Sequence, residues 1–288
     1  MLTTPLSAQP GAHPLRGVVR RHPLAAALVL FAAFEAVHVL LALDRGRLLG
    51  GLLGAGGDRG QGPAAWAIYT VLAILPVAVL GWWRETGFTR PGRRTAPPFL
   101  VPPLLAGMAF LGVGIHLDPA DTVPLLVGTP LVALNEELFF RGLLLEILRP
   151  LGWRRAITWS AVLFGVAHAA NLVSGGYLPF VALQVIATTA GGIAFAAIRI
   201  RSGSLWPLLA LHVVLDVVAL STMTGAGVES PLLLPVVFAW GGANLLLWPY
   251  GWRLLRGRSE AELTSLYDGS AAADDTQRRR GNRQARPA

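Results

Sequence analysis

The feature that most constrains this chain is a series of apolar segments, each close to the length that crosses a bilayer. About 20 apolar residues in a helix span a hydrocarbon core of about 30 Å. Hydrophobic residues make up 53% of the 288 residues and charged residues only 14%, whereas soluble domains carry about 25% charge. We therefore expect an all-α membrane protein without a large soluble domain. Eight transmembrane helices are predicted, over 24–43, 64–83, 98–117, 123–148, 156–173, 178–198, 204–222 and 231–249.

The basic residues predict how these helices cross the membrane. The chain contains no lysine, and its arginines cluster in alternate loops between the predicted spans. Positive loops stay in the cytoplasm, so the pattern places both termini there and favours contact with membrane lipid over nucleic acid. Residues 1–22 and most of a basic tail, 251–288, are predicted to be disordered, with a short helix at 259–267. The transmembrane domain is then 23–250. The lysine-free, alanine-rich and arginine-rich composition favours a bacterial cytoplasmic membrane.

The fourth predicted span contains three charged residues, Glu136, Glu137 and Arg141, within the sequence NEELFFRG. A charged side chain at the centre of a membrane helix costs about 2.5–3.5 kcal/mol, so such residues normally pair or serve a function. Residues four apart share a helix face, and acid before base is the favourable order, which predicts a Glu137–Arg141 pair. Glu136 points about 100° away and is free to face a cavity. An ion cluster with only a structural role is the alternative.

Two other predicted spans contain a histidine beside further polar or aromatic residues. In the fifth span, FGVAHAAN places His168 four residues after Phe164 and one turn before Asn171. In the seventh span, His212 and Asp216 are also four residues apart. An aspartate at this spacing commonly orients an imidazole and sets its tautomer. A lone membrane histidine, by contrast, is more often a helix-packing residue.

Depth in the membrane connects three of these side chains. With a rise of about 1.5 Å per residue, Glu136, His168 and His212 lie about 12–19 Å from the cytoplasmic ends of their spans, which predicts a shared polar cavity. Such a cavity suits hydrolysis, with the carboxylate taking a proton from water and the imidazoles holding the water or stabilising an oxyanion. Alternatively, His168 and His212 bind a divalent metal such as Zn²⁺, which activates the water. The chain has no HExxH zinc motif, no GxSxG serine motif and no cysteine.

Three motifs resemble those of a known family. EELFFR at 136–141, FGVAH at 164–168 and HVVLD at 212–216 are similar to the EExxxR, FxxxH and Hxxx(N/D) motifs of the CPBP intramembrane proteases. This family is also called Abi or the type II CAAX proteases and includes the CAAX prenyl endopeptidase Rce1. The resemblance covers about 120–222, the predicted core of the domain, and implies an Rce1-like helical bundle with an intramembrane polar cavity. It also implies a metalloprotease or glutamate protease that acts on a membrane-associated protein or peptide.

The resemblance assigns a role to each motif residue. Glu136 corresponds to the catalytic base, and His168 and His212 hold the water or the oxyanion. Asp216 takes the place of an asparagine in Rce1, so it accepts hydrogen bonds but has no amide to donate one. The predicted supporting residues are Glu137, Arg141, Phe164 and Asn171.

Two different functions remain open from the residues alone. Membrane-embedded carboxylates and imidazoles also suit a proton-coupled or cation-coupled transporter. A non-catalytic scaffold of the same fold is the second alternative. Outside the motifs, Glu35 and His38 are three residues apart in the first predicted span and are expected to satisfy each other.

Overall fold

The computed structural model describes residues 14–44, 63–89, 97–115, 119–223 and 233–268. All regular structure in these ranges is helical, which confirms the all-α prediction. Short 3₁₀ turns follow several of the helices. The α-helices are α1 (Pro14–Arg21), α2 (Pro23–Asp44), α3 (Pro63–Leu80), α4 (Val101–Gly107), α5 (Pro119–Glu136), α6 (Leu145–Leu148), α7 (Trp153–Ala167), α8 (Leu178–Ser202), α9 (Trp206–Met223), α10 (Leu233–Leu255) and α11 (Glu260–Tyr267).

Three of the described helices, α2, α8 and α10, are long and apolar enough to cross a membrane. Shorter apolar helices cover Ala65–Leu80, Val101–Val113 and Trp206–Thr222. Several membrane-crossing segments in one chain make this a multi-pass membrane protein. The count of eight spans and the cytoplasmic position of both termini stay predictions.

The third predicted span, 98–117, differs most from the structure. Only α4 is α-helical there, and a 3₁₀ helix, Met108–Val113, continues it. Pro102 and Pro103 lack the backbone N–H that an α-helix interior needs, so they are confined to its first turn. Gly114 then ends the segment with a φ of 89°, in a region that glycine adopts readily.

The N-terminal segment 1–22, predicted to be disordered, contains α1, and a contact with α3 explains why. Arg16 donates from Nε to the Leu80 carbonyl at 2.6 Å and from Nη2 to the Gly81 carbonyl at 3.0 Å. Carbonyls in the last turn of a helix have no partner within that helix, so Arg16 caps α3 and fixes α1 beside it. Residues 1–13 lie outside the described residues.

The predicted short helix of the tail is present as α11, which packs on the body of the protein. Ser259 and Glu262 form a capping box at its start. Trp153 donates its indole N–H to Thr264 at 3.0 Å, and Arg149 pairs with Asp268 at 2.9 Å. Residues 269–288, the remainder of the predicted disordered tail, lie outside the described residues.

The core forms around α8, which packs against α7 and α10. Its C-terminal half is buried on every face from Ala190 to Ile200, as expected of a helix that is apolar all round. Small residues allow close packing here. A side chain at Gly165 of α7 would lie 2.6 Å from the Val185 carbonyl oxygen of α8, so glycine is needed to keep these two helices at their present distance.

Candidate active site

The candidate active site is built on an irregular part of the fourth predicted span. The structure has α5 up to Glu136 and then a π-helix, Glu137–Leu144, whose residues are all buried. The prediction of one continuous α-helix is therefore wrong at this point. The wider i→i+5 turn of a π-helix is rare and is frequent at functional sites. The α/π junction falls between the two glutamates, so their side chains meet different surroundings.

Glu137 and Arg141 form the predicted ion pair. Nη1 of Arg141 lies 3.1 Å from Oε1 of Glu137, and the side chains are 1% and 0% exposed. The Arg141 guanidinium also stacks on Phe164, 3.7 Å from the ring centre. The side chain of Glu136, by contrast, is 25% exposed and lines a cavity. The structure thus separates a buried pair from an accessible carboxylate, as the helical spacing predicts.

His212 of α9 connects this helix to the carboxylates. Its Nδ1 lies 2.8 Å from Oε1 of Glu137, while Nε2 lies 3.6 Å from Glu136 and 3.5 Å from Asp216. An imidazole N–H donates and a carboxylate accepts, so Glu137 fixes the ring orientation through Nδ1–H. Asp216 contacts the same ring as predicted, at the opposite nitrogen, and Glu137 adds a shorter contact that the sequence did not predict.

His168 is held by its own helix. Its Nδ1 lies 2.9 Å from the Phe164 carbonyl oxygen. Because a carbonyl only accepts, Nδ1 carries the proton, and in the neutral imidazole Nε2 is then an acceptor. The ring also packs edge-on against Phe164, with 4.9 Å between ring centres. Phe164 therefore contacts both the Arg141 guanidinium and the His168 ring.

The predicted site residues meet at one cavity of about 470 Å³. The motif residues that line it are Glu136, Arg141, Phe164, His168, Asn171, His212 and Asp216. Glu137 is buried directly behind them. This arrangement brings together an accessible carboxylate and two imidazoles, the side chains that general acid–base chemistry uses.

Sequence reasoning missed part of the cavity wall. Gln184 of α8 accepts a hydrogen bond from Asn171 at 2.9 Å, and Thr188 lines the wall one turn further along. Their spacing along α8 places both on one face, but an apolar helix with uncharged polar residues gives no signal of its own. Glu35 and His38 of α2 do contact each other, at 3.4 Å between Oε2 and Nδ1, and both also line the cavity.

The predicted metal ligands are the two histidines of the cavity, His168 and His212. No group of three or more His, Asp or Glu side chains within the described ranges has the spacing to hold a metal ion. Nδ1 of His212 is hydrogen-bonded to Glu137, and Nδ1 of His168 to the Phe164 carbonyl. Such bonds orient an imidazole whose other nitrogen binds a metal, so Nε2 of His168 and Nε2 of His212 would be the atoms that hold one.

Comparison with known proteins identifies one family that matches part of the chain. Neither a curated protein nor a solved structure matches the chain. Residues 118–218 match a family described as type II CAAX prenyl endopeptidase Rce1-like, and this range carries all three sequence motifs. The resemblance predicted from EELFFR, FGVAH and HVVLD is therefore confirmed over residues 118–218, about a third of the chain.

Proposed function

We propose that this protein is an intramembrane endopeptidase that hydrolyses a peptide bond in a membrane-associated protein or peptide. The observation that carries the proposal is the convergence of Glu136, His168 and His212 on one cavity, within the segment that matches a CAAX prenyl endopeptidase family. A cavity inside a membrane protein, lined by apolar side chains beside these polar ones, suits a substrate with an apolar or lipid-anchored segment.

The proposed reaction begins when a proton is removed from water. Glu136, the accessible carboxylate, takes a proton from a water molecule as its oxygen attacks the carbonyl carbon of the scissile bond. His168 supports this step because its Nε2 accepts a hydrogen bond from the same water. The protonated Glu136 then gives its proton to the leaving amide nitrogen, and the C–N bond breaks. The resulting carboxylic acid passes its proton, the second one from the water, to the amine, which leaves a carboxylate and an ammonium group.

The negative charge that develops on the substrate oxygen needs a donor. In the proposal, the Nε2–H of His212 supplies it, because Glu137 already holds the opposite nitrogen and fixes the direction in which Nε2 points. Asp216 lies 3.5 Å from Nε2, where its negative charge attracts that N–H before substrate enters. A carboxylate at this position therefore holds His212 and does not itself stabilise the oxyanion.

Substrate trapping tests the proposal. A Glu136→Gln variant keeps the size of the side chain but lacks a base, so it retains a membrane-associated partner that the wild type releases as two fragments. The matched control is Glu146→Gln, since Glu146 is a buried glutamate of α6 that does not line the cavity. Cleavage of the trapped partner by the wild type and by Glu146→Gln, but not by Glu136→Gln, is the expected result. Equal cleavage by all three proteins contradicts the proposed base.

A metal-dependent version of the same reaction is tested separately. In that version, His168 and His212 would hold a divalent ion such as Zn²⁺. Metal content of the purified protein, together with cleavage before and after chelation, distinguishes the two versions. Loss of cleavage on chelation and its return with Zn²⁺ would support the metal; unchanged cleavage supports glutamate alone.

A proton-coupled or cation-coupled transporter is the second candidate, favoured by the carboxylates and imidazoles that line one membrane cavity. Proteoliposomes with an imposed ion gradient measure it directly. Flux without proteolysis would support transport. The absence of both flux and proteolysis would support a non-catalytic scaffold.

We further propose eight membrane spans with both termini in the cytoplasm of a bacterial cell, where basic loops meet anionic lipid. Nucleic acid is not expected as a partner. Labelling of single cysteines introduced into each loop tests the topology, because the chain has no cysteine of its own.

A further inference from the structure

The catalytic cavity has a second polar wall outside the motif segment. It is formed by Glu35 and His38 of α2 together with Trp66 and Tyr69 of α3, all of which line the cavity. None of these residues lies in the range 118–218 that matches the family. The two walls are close enough to interact electrostatically, His38 with Glu136 and Glu35 with His168. The second wall therefore faces the place where the proposed reaction occurs.

Two polar atoms of this wall are buried without a partner. Oε2 of Glu35 lies 3.4 Å from His38, but Oε1 has no hydrogen-bond partner among the described residues. The Tyr69 hydroxyl also has none in the described part of the chain, although Tyr69 is only 4% exposed. Leaving buried polar atoms unpaired is costly. Both atoms can accept a hydrogen bond, so a ligand with N–H groups that enters this wall would satisfy them.

The charges of the cavity indicate what kind of ligand fits. Three carboxylates line it, Glu35, Glu136 and Asp216, against one guanidinium, Arg141. Arg141 is already paired with Glu137, a fourth carboxylate behind the wall. Even with His212 counted as a cation that donates from both ring nitrogens, the four carboxylates outnumber the two positive charges, so the cavity favours a cationic ligand over an anionic one.

Aromatic faces complete the same wall. Phe34, Trp66 and Tyr69 line the cavity beside Glu35, and a cation over an aromatic face is attracted by the electrons of the ring. Trp66 is held in place because it lies against Gly128 of α5, where any side chain would clash with the indole ring. A carboxylate oxygen, a hydroxyl and an indole face together match the three N–H donors of a primary ammonium.

We propose that Glu35, Tyr69 and Trp66 form a subsite for a primary ammonium group of the substrate. The ammonium belongs to a lysine side chain or to a free N-terminus close to the scissile bond. The subsite makes the enzyme selective for a basic position in an otherwise apolar peptide. This inference rests on the proposed peptidase function, which it extends by naming a feature of the substrate.

Binding to the Glu136→Gln protein tests the subsite without requiring cleavage. The probes are fluorescent, N-acetylated leucine-rich peptides in which a single lysine moves along the sequence, each matched by a peptide with norleucine at that position. Fluorescence anisotropy in detergent micelles gives the dissociation constants. At one position, we expect lysine to bind about ten-fold more tightly than norleucine, as for a charge-assisted hydrogen bond. A preference only for the non-acetylated peptide identifies the N-terminal amine as the ligand.

Variants connect the preference to the wall. Adding Glu35→Gln removes the charge but keeps a hydrogen-bond acceptor, so the lysine preference is lost while norleucine peptides bind as before. Glu85→Gln, which removes the same charge outside the cavity, keeps the preference. Tyr69→Phe reduces the preference several-fold and serves as the second test if Glu35→Gln does not fold.

Three results overturn the inference: no preference for an amine either on a lysine or at a free N-terminus, a preference that survives both wall variants, or equal weakening of lysine and norleucine peptides by Glu35→Gln. The last result shows that the wall binds the peptide backbone instead. If the preference is present but wild-type protein cleaves none of the peptides, the peptidase proposal fails and the subsite remains. If cleavage occurs without any preference, only the subsite fails.

Discussion

Replacing Arg141 by methionine tests whether the buried ion pair holds the site together. Arg141 is 1% exposed and lies 3.1 Å from Glu137, which is 0% exposed. Methionine keeps much of the side-chain length but removes the charge. The change leaves Glu137 with His212 as its remaining partner at 2.8 Å, and it removes the stacking of the guanidinium on Phe164.

The expected loss of stability in Arg141→Met follows from the burial of both charged side chains. Removing one partner of a buried ion pair costs about 3–5 kcal/mol because the other charge stays behind uncompensated. The remaining contact with His212 reduces this cost, while loss of a desolvated cation–π contact adds about 2 kcal/mol. Nε and Nη2 of Arg141 have no hydrogen-bond partner among the described residues, so desolvation of Arg141 offsets part of the gain in the wild type. We expect Arg141→Met to lower the free energy of unfolding by about 3 kcal/mol.

A double-mutant cycle with Glu137→Gln isolates the pair. Free energies of unfolding are measured by SDS titration in mixed micelles for both single variants and the double variant. We expect a coupling energy between about 1 and 3 kcal/mol. The control is Arg199→Met, because Arg199 is equally buried but stacks on Tyr267 away from the cavity; it should show no coupling with Glu137→Gln. Additivity of Arg141→Met and Glu137→Gln within about 0.5 kcal/mol would refute the reasoning.

Three further predictions concern helix packing and the tail. Gly165→Ala places a methyl group against the Val185 carbonyl oxygen, so we expect a lower thermal midpoint of unfolding and slower peptide cleavage. A variant with the midpoint and the cleavage rate of the wild type would contradict the close α7–α8 contact. Ser259→Ala removes the cap of α11 and costs about 1 kcal/mol of local helix stability, measured as faster amide exchange in 260–267; unchanged exchange argues against the cap. Hydrogen bonds from the Ser259 backbone N–H and hydroxyl lower the pKa of Glu262. The contribution of Glu262 to the cap is therefore present above the usual glutamate pKa and is lost as pH falls through the lowered value. We expect amide exchange in 260–267 to rise only at acidic pH.

The sequence motifs predicted the local geometry of the site well. Spacing of four residues placed Glu137 beside Arg141 and His212 beside Asp216, and the structure has both contacts. Spacing also left Glu136 free to face a cavity, where it lies. These contacts depend only on the helical repeat, which is why they can be derived from residue positions.

Contacts between distant segments could not be derived in the same way. The hydrogen bond from His212 to Glu137 joins residues 75 positions apart, and it depends on how α9 packs against the π-helix. The π-helix itself depends on tertiary packing, since nothing in LFFRGLL distinguishes it from an α-helix. Glu35 was expected only to pair with His38, and its place in the cavity follows from the packing of α2 and α3 beside α5.

The most direct test of the central claim is the rate of cleavage by the Glu136→Gln protein. Single-turnover cleavage of the trapped substrate is followed by mass spectrometry for wild type, Glu136→Gln and the buried control Glu146→Gln. If Glu136 is the base that activates water, its loss lowers the rate by about 10²–10⁴-fold, while Glu146→Gln cleaves at the wild-type rate and at the same bond. A Glu136→Gln protein that cleaves that bond as fast as the wild type would contradict the account.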